Sequence, residues 1–88
     1  MNNEQSAIRI LIADDHPVVR HGLRSLLGAH PDLEIVGEAE NGAEVLTFLA
    51  KHEVNVLLLD IQMKGQSGIE IARRVHHLQP AIKIIILT

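Results

Sequence analysis

The chain has 88 residues, enough for one small domain and too few for two. Apolar residues make up 47% of it and Leu, Ile, Val and Phe account for 31 positions, so the composition is that of a collapsing globular chain and not of a disordered one. The formal charge of −3 and the single aromatic, Phe48, argue against nucleic-acid binding by this segment, and the lack of Cys excludes disulfides and thiolate-held zinc.

Met1-Asn2-Asn3-Glu4-Gln5 lacks the basic start and apolar stretch of a signal peptide, and residues 1–7 read as a tail. Unbroken runs of large apolar residues stop at four (Val56–Leu59, Ile84–Leu87), against the ~20 needed to cross a bilayer, so a cytoplasmic chain with no membrane partner is expected. Ile8–Ala13 is short, β-branched and apolar, and predicts a buried strand ending at Asp14-Asp15. Pro17 suits the first position of a helix, whose apolar face would be Val19, Leu23, Leu26 and Leu27, with Gly28 and Pro31 ending it. Leu33–Ala39 alternates in part, as an edge strand does. Asn41 with Glu44 predicts a capped helix that buries Val45, Leu46 and Leu49. Val54–Leu59, apolar but for Asn55, is a second buried strand, and it ends at Asp60. A polar loop, Gln62–Gln66, leads to a second capping pair, Ser67 and Glu70, and to a helical stripe of Ile71, Ala72, Val75 and Leu78. Pro80 stops that helix, and Ile82–Leu87 is the last buried strand before Thr88.

The order βαβαβαβ with short connections predicts an α/β fold: a doubly wound parallel sheet with right-handed crossovers. Such sheets bind ligands at the carboxyl ends of their strands, where Asp14, Asp15, Asp60 and Thr88 all fall. Neighbouring first and third strands would bring three carboxylates into one pocket. Like charges that close repel, and a hard divalent cation such as Mg²⁺ relieves them. Beside such a cation an Asp can act as nucleophile toward a phosphoryl group. Any one of these aspartates alone reads equally as a turn or helix-cap residue; the convergence of separate strand ends is what favours the ligand reading.

The same residues carry a resemblance. Ile10-Leu11-Ile12-Ala13-Asp14-Asp15-His16-Pro17 resembles the opening of a two-component response-regulator receiver domain. Leu57–Met63 with Gly65 and Gly68 is similar to that family's phosphoacceptor strand and loop, and Ile84–Thr88 to its fourth strand and switch residue. The Asp-His-Pro-Val-Val-Arg-His-Gly-Leu stretch is most like the NarL/FixJ (LuxR-type) subgroup. The resemblance spans Ile8 to Thr88 and implies a flavodoxin-like (CheY-like) sheet with strand order 2-1-3-4. It implies that Asp60 accepts a phosphoryl group from a sensor histidine kinase, and that Asp15 ligates Mg²⁺ with support from Asp14. Asp60 and the backbone carbonyl of Gln62 would complete the protein ligands, and Thr88 would be the switch hydroxyl. In the full-length protein the domain would control transcription.

Two departures stand out. The family usually has Pro where this chain has Lys64, which suggests a more mobile loop and an added cation near the pocket. The family's last helix, strand and helix are also missing after Thr88, so a truncated receiver over 8–88 is expected. That form would be impaired in phosphorylation and would associate with itself through the fourth strand or the first helix. An assembly module that is never phosphorylated is the alternative reading. A haloacid-dehalogenase-like phosphatase fits poorly, because it needs a second Asp where Gln62 stands, so no enzyme is expected. His16 reads as a turn residue beside the pocket, and the other five histidines as surface residues.

Overall fold

The computed structural model describes residues 7–88, so the expected tail lies, Ala7 apart, outside the described residues. In chain order the elements are β1 (Ile8–Ala13), α1 (Pro17–Leu27), β2 (Leu33–Ala39), α2 (Gly42–Lys51), β3 (Val56–Asp60), β4 (Gln62–Met63), β5 (Gln66–Ser67), α3 (Gly68–Leu78) and β6 (Lys83–Leu87). Four of the strands form one parallel sheet in the order β2-β1-β3-β6, which is the expected order with β6 as the fourth main strand. The stretch expected as plain loop is instead a small antiparallel hairpin, with Gln62 opposite Ser67 and Met63 opposite Gln66. Two residues per strand fall below any hydrophobic alternation signal, so the sequence pattern could not reveal it.

Alternation along the central strands splits the core into two layers. Leu11, Ala13, Leu57 and Leu59 face one side, where they pack with Val45 and Leu49 of α2 and Ile71 and Val75 of α3. Ile10, Ile12 and Leu58 face the other side, against Leu23 and Leu27 of α1. Full burial of each such side chain stabilises the fold by about 1.5–3 kcal/mol.

The stripe expected for α1 is only half right. Leu23 and Leu27 pack on the sheet, but Leu26 is 68% exposed and Val19 is also exposed. No residue of α1 is fully buried. Its other flank is tied to β2 by Arg20 and Arg24, both bonded to the Glu38 carboxylate at 2.8 and 2.7 Å. Leu78, expected in the α3 stripe, is likewise exposed, because it sits in the last turn just before Gln79 leaves the helix.

Both predicted helix starts are found. Asn41 Oδ1 accepts from the Glu44 N–H at 2.9 Å, while Glu44 reaches back to the Glu40 N–H rather than to that of Asn41. Ser67 Oγ accepts from the Glu70 N–H at 3.4 Å, but the Glu70 carboxylate turns to Arg73. These caps fix where α2 and α3 begin, and α3 begins directly after the hairpin at the end of β3.

Candidate metal centre

β1 and β3 pair in parallel with Ala13 opposite Leu59, so the residues that follow them emerge side by side. One carboxylate oxygen from each of Asp14, Asp15 and Asp60, together with a ring nitrogen of His16, lie within 4.8 Å of one another. The structure thus brings the three predicted carboxylates together. Thr88 follows Leu87, the register partner of Asp60, and so lies at the same edge of the sheet, exposed. Gln62 is in β4, with its side chain exposed and its N–H donating to Asp60 Oδ1 at 3.3 Å.

Each acid is held by backbone donors in a way local sequence explains. Asp14 is buried at the end of β1, and its Oδ1 accepts the His16 N–H at 2.8 Å, an Asx turn that aims the chain into Pro17 and α1. Arg20, one turn along α1, donates to the Asp14 backbone carbonyl at 2.7 Å. Asp15 Oδ2 accepts the Lys64 N–H at 2.9 Å. The opposite oxygens, Asp15 Oδ1 and Asp60 Oδ2, are buried and accept no hydrogen bond among the described residues, with the His16 ring facing both.

From sequence His16 reads first as a turn residue, beside the pocket and within reach of it. It does turn the chain, as the cap residue of α1, but its ring also enters the pocket. Nδ1 lies 2.7 Å from Asp14 Oδ1, 3.0 Å from Asp15 Oδ1 and 3.6 Å from Asp60 Oδ2. The hydrogen bond to Asp14 and the negative charge of Asp15, then those of Asp14 and Asp60, raise the His16 pKa above its ordinary value of 6.5. The signal that could have found it is its place between two acids and a Pro at the first helical position, which fixes where the turn points.

Hard oxygen donors with buried, unpartnered lone pairs fit a divalent cation of the Mg²⁺ type. An unpartnered buried carboxylate oxygen carries a desolvation cost that a cation would relieve. Asp14, Asp15 and Asp60 are the residues that would hold it.

Comparison with known proteins agrees with this geometry. Residues 10–88 match the family described as the response regulator receiver domain. The chain is 41% identical over 81 residues to the transcriptional regulatory protein LiaR of Bacillus subtilis, covering 92% of this chain and 38% of LiaR. It is 38% identical over 85 residues to the nitrate/nitrite response regulator protein NarP of Escherichia coli, covering 97% of this chain and 40% of NarP. Among solved structures, RcsB of Salmonella enterica serovar Typhimurium, bound to a promoter in the presence of the phosphomimetic BeF₃⁻, superposes with a TM-score of 0.88. That match has 32% identity and covers 94% of this chain and 43% of the RcsB chain. The chain thus spans about two-fifths of the length of these relatives, which are regulators of the NarL/FixJ type. With its strand order, its acidic strand ends and these relatives, the chain belongs to the response regulator receiver domain family.

Proposed function

We propose that this chain is the phosphoacceptor of a two-component relay, in which Asp60 takes a phosphoryl group from a phosphohistidine of a sensor histidine kinase. The observation that carries the reading is the meeting of three carboxylates from two adjacent strand ends, two of them with a buried oxygen that accepts no hydrogen bond among the described residues. In the transfer, a carboxylate oxygen of Asp60 bonds to phosphorus as the P–N bond to the donor imidazole breaks. The electron pair stays on the leaving nitrogen, and the imidazole takes up a proton. Asp14, Asp15, Asp60 and the backbone carbonyl of Gln62 would hold Mg²⁺, whose positive charge would offset that of the acids and of the phosphoryl oxygens. The Thr88 hydroxyl, at the same edge of the sheet, serves as the switch donor to the phosphoryl group.

The chain is a stoichiometric acceptor rather than an enzyme, because Gln62 stands where a turning-over phosphatase of this chemistry needs an acid. The domain is 8–88, the location cytoplasmic, and the output of the whole protein transcriptional, as the name of LiaR indicates for that protein. The test is incubation with acetyl phosphate and Mg²⁺ followed by intact-mass analysis. The expected result is one added phosphoryl group on the wild-type chain and none on Asp60→Asn. Labelling that persists in Asp60→Asn overturns the assignment.

A second reading, assembly, is favoured by one observation. Val18 and Leu26 of α1 and Ile85 of β6, on the α1 side of the sheet, are 83%, 68% and 46% exposed. Self-association through this face is compatible with phosphorylation, and its test belongs to the whole molecule.

A further inference from the structure

We propose that Lys64 is a positioning residue for the cation site, acting through its backbone N–H and not through its amine. The proposal rests on the reading of Asp15 as a cation ligand.

Lys64 and Gly65 close the β4–β5 hairpin as adjacent left-handed residues, with φ of 41° and 81°. Two successive positive φ values are the mark of the tight turn whose twist matches that of its strands. Gly is at ease there; a Lys side chain is not, because its Cβ crowds the backbone. What this unfavourable residue gains is a backbone N–H aimed across the pocket at Asp15 Oδ2, 2.9 Å away and 49 positions earlier in the chain. Proline could supply neither this φ nor this donor.

The hairpin is itself anchored. Met63 is fully buried, and Gln66 Oε1 accepts the Gly42 N–H at the start of α2 at 2.8 Å. It is therefore an anchored arm that contacts two acids from different strands. Gln62 N–H holds Asp60 Oδ1, and Lys64 N–H holds Asp15 Oδ2. Each carboxylate is thereby divided: one oxygen is bound by the arm, and the other, Asp60 Oδ2 or Asp15 Oδ1, is buried, accepts no hydrogen bond among the described residues and is faced by the His16 ring. Without the donor at position 64, Asp15 Oδ2 loses its backbone hydrogen bond, and only the His16 ring, 3.0 Å from Oδ1, still orients the carboxylate.

The experiment is Mg²⁺ titration of the full chain followed by amide NMR, for wild type, Lys64→Pro, Lys64→Gly and Lys64→Ala. Lys64→Pro removes the donor and is expected to weaken affinity about 10-fold, the lower range for losing a group that orients a metal ligand. Lys64→Gly and Lys64→Ala keep the donor and should stay near wild type. In the metal-free wild type the Lys64 amide should exchange slowly, and Asp15→Asn should shift its resonance. This readout stands even where Lys64→Pro fails to fold. Unchanged affinity in Lys64→Pro, an equal loss in Lys64→Ala, or a fast-exchanging Lys64 amide overturns this proposal alone. No Mg²⁺ binding by the wild-type chain overturns the cation reading of the site, and this proposal with it.

Discussion

At the head of α1, His16 donates its backbone N–H to Asp14 while its ring nitrogen faces three acids. Because its pKa is raised in the folded chain, the protonated ring favours folding. That contribution is complete below about 6.5, the unfolded value, and is lost as pH rises through the folded value. Glu38 behaves in the opposite sense. The hydrogen bond from Arg24, joined by that from Arg20, lowers its pKa, so its contribution is present above the ordinary carboxylate value and is lost as pH falls through the folded one. Urea unfolding of the cation-free chain across pH should show both limbs. His16→Ala should flatten the alkaline limb only, and NMR titration should find the His16 pKa above 6.5 in wild type and lower in Asp14→Asn. An alkaline limb unchanged by His16→Ala would contradict the account. Among site residues, Asp14, Asp15 and Asp60 were legible because a strand end is easy to see in sequence and its ligand-facing edge follows from the topology. The inward turn of the His16 ring was only hinted at by its place between two acids and a Pro, because it depends on which way one side chain points at a corner.

Between residue and fold stand the joints that place the acids. The start of α3 lies against the end of β3, with Gly68 N–H donating to the Ile61 carbonyl at 2.6 Å. A Cβ at Gly68 would meet the Asp60 carbonyl oxygen and, at 2.8 Å, Ile61 Cα, all backbone. Backbone cannot step aside as a side chain can, so Gly68→Ala should destabilise the chain by about 2–3 kcal/mol in urea unfolding and should disturb Asp60 as well. Asn41→Ala, which removes only a cap of α2, should cost about 1 kcal/mol and leave the site intact. An equal and small cost for both would show that the close approach is not tight. Helices α2 and α3 were readable from their caps and stripes, since both bury one face against the sheet. The β4–β5 hairpin was not, because it is built from a left-handed Lys, a residue that announces no turn. The loop around Lys64 makes contacts at Met63, Lys64 and Gln66.

For the whole molecule, the strand order was expected from the family resemblance, and it suits β1 and β3, whose apolar residues pack on both faces of the sheet. The α1 side is the thinner layer. A surface with Val18, Leu26 and Ile85 exposed on one side favours association. Light scattering should show the mass rising with concentration, and Leu26→Glu should suppress the rise; a folded monomer at every concentration would remove the assembly reading. Exposure along α1 was misjudged from sequence because the stripe counts apolar residues without knowing how wide a face the sheet covers. The account as a whole depends on the carboxyl ends of β1 and β3 sharing one cation. Mn²⁺ added to the isotope-labelled chain tests this directly, since a bound paramagnetic ion broadens the amides around it. The prediction is broadening of the amides at Asp15, Asp60 and Lys64 together, abolished in Asp15→Asn. Broadening centred on other acids such as Glu34 or Glu53, or left unchanged by Asp15→Asn, would contradict it.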